Sequence, residues 1–526
     1  MGFVNFLKKP NLLFIVAFLL ICLSYNYLQI LQSRPHSLHT WRQSDCLSIT
    51  LNYYQHGMKF FEPEIHNLIS DNNTSGKTIG EFPLVYYFIA ILWKLFGVHE
   101  WIYRFVCLLV VFWGLFSLYK TTNYFVEDNF WAIWLPLVLF TSPIFADYGI
   151  SFLTNVTALC LVLVAFRHIQ LYYVNNKNNS LYIAMLLFLV AGLLKISSLI
   201  GFVFLVVVFF GERISLFNKE RVYLFKSLKV LVPMLLVICG ISAWYWYAES
   251  YNTMHQGRYT FNNLWPIWEM SWNRIHEYLY TIRTLTIYLV FNIYTIILFV
   301  IMFLVIIFNP RRNNSFFYFG TIILLVGSII YSLFWFQALN LHDYYYIDLL
   351  VFIMFIPFTF LVFLKKNYEK ILKSKILKAA FTLLLIFNVY YTSEMLELRY
   401  FPKSNKAYSV IPSHDLVNLL KWIDSNYSLK AKALEDIYPY FEKIGIKPGD
   451  RVISIPDGSF NVTLYLMKHP GWTEYGLDKT NLRKYITRGA KYLIVNDTTL
   501  KSEGYLKPYL SDKIGTFRNV EIFRLK

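Results

Sequence analysis

Asp45 closes a dense polar run, His39-Thr40-Trp41-Arg42-Gln43-Ser44-Asp45, that follows an apolar stretch over residues 11–31. A carboxylate at such a boundary can take a proton from a hydroxyl that is becoming a nucleophile. Cations occupy similar boundaries. Arg42 stands beside Asp45, Arg104 opens the next long apolar run, Lys195 separates two such runs, and Arg258 lies in His255-Gln256-Gly257-Arg258-Tyr259. A lysine wedged between apolar helices is costly unless it has a purpose, and lysine and arginine are the usual phosphate holders. His342, Tyr344 and Tyr345, in Leu341-His342-Asp343-Tyr344-Tyr345, add imidazole and hydroxyl groups, while Glu81 and Asp147 add carboxylates. Each has an ordinary structural alternative. Asp45 can pair with Arg42, Lys195 can snorkel to an interface, Arg104 can pair with Glu100 one helical turn away, and the tyrosines can form an interfacial belt. Charges gathered at a membrane face, beneath many apolar spans, point to chemistry on a lipid-borne substrate.

The elements that must hold these residues are membrane helices. The 526 residues are 56% hydrophobic and only 15% charged, outside the range of a soluble chain. The apolar residues fall in blocks, and about 20 such residues are needed to cross the hydrocarbon core. The expected spans are 11–31, 103–122, 130–147, 151–172, 180–194, 196–211, 228–247, 285–308, 316–336, 346–364 and 378–396, eleven in all. Residues 84–96 are too short to count and read as a juxtamembrane helix. The net charge of +17 sits in short loops, such as Arg311 and Arg312 or Lys365, Lys366, Lys370, Lys373, Lys375 and Lys378. That is the positive-inside pattern, not a nucleic-acid surface. It places the N-terminus in the cytoplasm and the loop 32–102 outside, in a multi-pass protein of the inner (plasma) membrane. The five cysteines show no paired spacing, so neither disulfides nor a zinc motif are expected.

Residues 1–396 are thus read as one membrane domain and 397–526 as a small extracytoplasmic α/β domain. In the latter, 413–426 and 430–444 look helical, and Arg451–Ile455, Tyr492–Val495 and Val520–Phe523 look like strands. The triplet Asn461-Val462-Thr463 is the kind of glycosylation signal that chance supplies in an asparagine-rich chain.

Taken in order, Trp41-Arg42-Gln43-Ser44-Asp45, Glu81-Phe82-Pro83, the stretch Leu95 to Arg104, Gly192-Leu193-Leu194-Lys195 and Leu341-His342-Asp343-Tyr344-Tyr345 resemble the GT-C membrane glycosyltransferases. The protein O-mannosyltransferase and lipid A aminoarabinose transferase group is the nearest pattern, over roughly residues 1–365. The resemblance implies transfer of one sugar from a polyprenyl-phosphate carrier to a glycan, lipid or protein acceptor at the outer face, usually with inversion. Asp45 is then the base or acceptor-positioning group. Lys195, Arg258, Arg104 and Arg42 would hold the donor phosphate, and His342, Tyr344, Tyr345, Glu81 and Asp147 would line the substrate site. The chain departs from the pattern in two places. Relatives often carry a lysine and a second proline around Glu81-Phe82-Pro83, and an aspartate where this chain has Asn155; Asp147 is the candidate substitute.

Other readings are a transporter or flippase of lipid-linked sugars, which would favour repeated halves, and a ligase joining a finished polymer to a lipid. No repeat is visible. The need for a divalent metal stays open, since only Asp45, with Asp147 or Glu81, offers ligands and no compact cluster appears.

Overall fold

The computed structural model describes residues 9–216, 223–257 and 264–526. Arg258 lies outside them.

In lipid a backbone must satisfy its own polar groups, so the apolar blocks become helices. Among the described residues seven helices are long and apolar enough to cross a membrane: Glu100–Val126, Asn155–Asn175, Ile196–Arg213, Leu228–His255, Ser315–Phe334, Asp343–Asn367 and Lys375–Tyr400. An eighth is formed if Trp272–Val290 and Ile293–Ile307, bent by 91° at their junction, are one broken span. The other apolar helices, Pro10–Ser24, Leu84–Phe96, Asn129–Phe140 and Asn178–Leu194, are shorter, so the expected eleven spans are not reached on length. Local chemistry explains the breaks. Asn26 is left-handed and ends the first helix, while Pro143 restarts a helix where 130–147 was expected to be continuous. At Phe291–Asn292 the Asn292 side chain caps the next helix by accepting the Thr295 N–H at 3.1 Å. The chain also breaks at Lys195, which is extended between Asn178–Leu194 and the turn Ile196–Leu199.

The two ends of the bundle differ in charge. At one end the connecting segments are tied by Lys365 to Glu127 at 3.1 Å and by Lys378 to Asp128 at 2.6 Å. Helix Tyr346–Asn367 leads from that end to Asp343, about 33 Å away at 1.5 Å per residue. Asp343 lies at the end that carries the candidate site.

Beyond Tyr400, where the last long helix ends, the chain forms a small α/β unit; the expected division at 396/397 falls in that helix's final turns. Its sheet contains β1 (Arg451–Ile455), β2 (Gly471–Thr473), β3 (Ala490–Val495), β4 (Lys513–Phe517) and β5 (Val520–Arg524), in the order β2-β1-β3-β5-β4. β1 is parallel to β2 and β3, whereas β5 is antiparallel to β3 and β4. The three expected strands are present, and β2 and β4 are additions. The loop after helix Thr40–Gln55 joins this sheet: Leu68 N–H donates to Gly471 O at 2.8 Å and Gly471 N–H to His66 O at 3.0 Å. Residues 66–68 thereby pair along the β2 edge, fastening the C-terminal unit to the segment that bears Asp45.

Candidate active site

Asp45 sits in the second turn of helix Thr40–Gln55 and is only 2% exposed. Arg42, one turn earlier, points the same way, as i and i+3 do on a helix. Its Nη1 is 4.0 Å from Asp45 Oδ2, and its Nη2 pairs with Glu81. Asn461 Nδ2, from the loop after β1, donates to Asp45 Oδ1 at 2.7 Å. Burial pushes the Asp45 carboxyl up to about 7, although Arg42 and Asn461 favour its anion. Burial also opposes ionisation of Glu81, but Arg42 and then Lys195 outweigh it and hold that carboxyl below its usual value. The site thus holds two carboxylates with different proton affinities side by side.

Lys195 completes the cationic wall. Its Nζ lies 4.6 Å from the Tyr345 ring centre and 5.6 Å from that of Tyr344. The His342 ring is 5.2 Å from both Tyr344 and His39. Deeper, Asp348 accepts from Ser197 Oγ at 2.7 Å and from Tyr331 Oη at 3.3 Å. His39 continues the chain of contacts, its Nε2 3.2 Å from Asp343 Oδ1. The same Asp343 oxygen accepts from Tyr148 Oη at 2.5 Å, and Oδ2 accepts from Arg399 Nη2 at 2.5 Å. The other arm of Arg399 pairs with Asp147.

The expected residues therefore divide into groups. Asp45, Arg42 and Glu81 meet directly; Lys195, His342, Tyr344 and Tyr345 form the adjoining wall. Asp147 lies behind it in an ion-pair cluster with Arg399 and Asp343, not beside Asp45. Asn155, at the position discussed with Asp147, donates to Tyr344 O at 3.4 Å. Arg104 stands apart. Fully buried, it donates to Ile150 O at 2.8 Å, to Ser33 O at 3.1 and 3.2 Å and to Arg34 O at 3.3 Å, and it stacks 4.1 Å from Phe152. Glu100, its expected ion-pair partner, is instead 2.5 Å from Arg34. The guanidinium of Arg104 is a clamp on loop carbonyls. Trp41 packs edge-on against Phe460 and Tyr475 and is exposed. Among the described residues no group of three or more His, Cys, Asp or Glu side chains could hold a metal ion.

Five residues were not anticipated as part of the site: His39, Asp343, Asp348, Arg399 and Asn461. Arg399 carried a readable signal, an arginine at the end of a membrane-length helix. Asn461 carried none.

Comparison of the sequence with family models and with curated proteins finds no match. Solved structures do match. ArnT from Cupriavidus metallidurans in the apo state aligns with a TM-score of 0.58 at 13% identity, over 97% of each chain. The same protein bound to undecaprenyl phosphate aligns with a TM-score of 0.57 at 13% identity, again over 97% of each chain. The chain has the GT-C fold. Arabinofuranosyltransferase AftD from Mycobacteria aligns with a TM-score of 0.51 at 12% identity, over 97% of this chain and 41% of AftD. A GT-C membrane bundle thus carries the Asp45 cluster at one end, where the first loop meets the C-terminal sheet.

Proposed function

We propose that this protein is a multi-pass membrane glycosyltransferase that moves a single sugar from a polyprenyl-phosphate carrier to a cell-envelope glycan, glycolipid or protein. The observation that carries this reading is the buried Asp45 carboxylate, set beside Arg42 and the Lys195 wall in a GT-C fold; in that fold ArnT binds undecaprenyl phosphate.

Asp45 accepts the proton of an acceptor hydroxyl as its oxygen attacks the anomeric carbon. The bond between that carbon and the phosphate oxygen breaks on the opposite side, inverting the centre. The phosphodiester of the donor leaves as a phosphomonoester with one more negative charge. Lys195 and Arg42 oppose that developing charge, which is where fixed cations lower a barrier most. Glu81 holds Arg42 in place, and His342, Tyr344 and Tyr345 offer donors to sugar and phosphate oxygens. Arg258 is proposed as a further phosphate contact. Arg104 and the Asp147–Arg399–Asp343 cluster act on the site indirectly, by holding the backbone and helix ends around it. The basic end of the bundle faces the cytoplasm, and the site and C-terminal domain face outward.

The test is a transfer assay in liposomes, with radiolabelled polyprenyl-phosphate monosaccharides and crude envelope acceptor. Asp45→Asn is expected to lose transfer by roughly 10²-fold or more while still binding polyprenyl phosphate. Equal turnover by both proteins would overturn the assignment of Asp45.

A further inference from the structure

Asp45 is held from the far end of the chain. Asn461 lies 416 residues away in sequence and is fully buried, yet its Nδ2 is 2.7 Å from Asp45 Oδ1. The orientation of its amide is dictated by its other neighbours. Asn461 Oδ1 is 3.1 Å from the Asn67 backbone N–H and 3.4 Å from Ser48 Oγ. A backbone N–H can only donate, so the amide oxygen must face Asn67 and the NH₂ must face Asp45. The loop that carries Asn461 is itself fixed. Asn67 Nδ2 donates to Phe460 O at 2.9 Å and to Thr473 Oγ1 at 3.0 Å. Thr473 Oγ1 donates to Ser459 O at 2.5 Å, and Asp457 accepts from Ser459 N–H at 2.8 Å and Thr463 N–H at 2.9 Å. Complete burial also removes Asn461 from any role as a glycosylation acceptor in the folded protein.

We propose that Asn461 is a positioning residue for Asp45, fixing the carboxylate's direction and favouring its ionised form, so that the C-terminal domain supplies part of the proton-accepting machinery. This rests on the reading of Asp45 as the base. Among the described residues, the charges that act on Asp45 include Arg42 from its own helix, Glu81 from the segment before Leu84–Phe96 and Asp457 from the Asn461 loop. Arg42 and Asn461 favour the anion; Glu81 and Asp457 oppose it. The adjacent Cys46, in contact with Tyr86 Oη at 3.4 Å, adds no charge, because burial pushes its thiol up to about 12. Asn461 is therefore a principal counterweight to burial, and it comes from a different part of the chain than Arg42.

The experiment reads the protonation of Asp45 without turnover. Full-length protein in detergent is treated with dicyclohexylcarbodiimide, which adds to protonated carboxyls, across a pH series, and the peptide containing Asp45 is quantified by mass spectrometry. Wild type is expected to lose labelling with a midpoint near 7, as the carboxyl ionises. Asn461→Ala should move that midpoint upward by about one pH unit, the effect of one charge-assisted hydrogen bond. Asn461→Asp, nearly isosteric, should move it further by placing a second carboxyl beside the first. A wild-type midpoint in whichever of these variants folds overturns the proposal. The readout is separate from the transfer assay: a shifted midpoint together with full transfer by Asp45→Asn would keep the coupling and reject Asp45 as the base.

Discussion

Asp45 and Arg399 show two ways in which a charge is held in a buried setting. Arg42 lies 4.0 Å from Asp45 and Asn461 donates to it at 2.7 Å, and burial carries its carboxyl up to about 7. Since the base must be ionised to accept a proton, transfer should rise as pH increases through about 7 and level off above it. Rates measured from pH 5 to 9 with saturating donor check this, and a flat profile would separate the rate from Asp45. Arg399, at 1% exposure, instead spans two carboxylates, Asp147 and Asp343. Arg399→Met would strip both buried acids of their shared guanidinium, leaving Asp343 with His39 and Tyr148, a loss of about 3–5 kcal/mol in comparable pairs. A marked drop in the thermal midpoint in detergent is expected, with partial recovery when Asp147→Asn and Asp343→Asn are added. No recovery would mean that packing, not charge, explains the loss. Asp45, Lys195 and the His342–Tyr345 run were legible in the sequence because each couples an unusual residue type to a membrane boundary. Asn461 was not, because its meaning depends on a partner hundreds of positions away.

Strands and helices were legible where one pattern governs a whole segment, and were misread where a single residue overrides it. The stretch 430–444 has helical composition, but Pro439 belongs at a helix start, and the chain forms a 3₁₀ turn over Lys432–Asp436 followed by helix Tyr438–Lys443. β2 was missed because three residues carry no readable alternation, though it is the strand that docks the two parts of the molecule. Its first residue must be glycine. A Cβ at Gly471 would lie 1.9 Å from Val452 O, a backbone atom of the paired strand that cannot turn aside. Gly471→Ala should therefore push β2 off β1 and loosen residues 66–68, which bond to Gly471, at a cost of about 1–3 kcal/mol or more. Hydrogen–deuterium exchange at the Leu68 amide, bonded to Gly471 O at 2.8 Å, is the direct readout and should become faster. Unchanged protection there would show that the edge pairing does not depend on β2.

For the whole molecule the decisive asymmetry is of charge between the two ends of the bundle. Lys365, Lys366, Arg311 and Arg312 collect at the end opposite Asp343, with Glu127 and Asp128 pairing into the same layer. Lysine- and arginine-rich short loops stay on the cytoplasmic side during insertion, so the Asp45 site and the C-terminal sheet should face out, where a polyprenyl-linked sugar and an envelope acceptor meet. Cysteine labelling tests this cleanly, because among the native cysteines only Cys239 is exposed and can be replaced by serine. In that background, Arg311→Cys should react with a membrane-impermeant maleimide only after the cells are opened. Lys484→Cys, close to the buried Tyr485 in the C-terminal domain, should react in intact spheroplasts. The reverse pattern would put the carboxylate cluster in the cytoplasm and remove the case for an outward-facing transferase. Labelling of both positions from outside would mean that an even number of crossings lies between them, so that one of Ser315–Phe334, Asp343–Asn367 and Lys375–Tyr400 does not span the membrane.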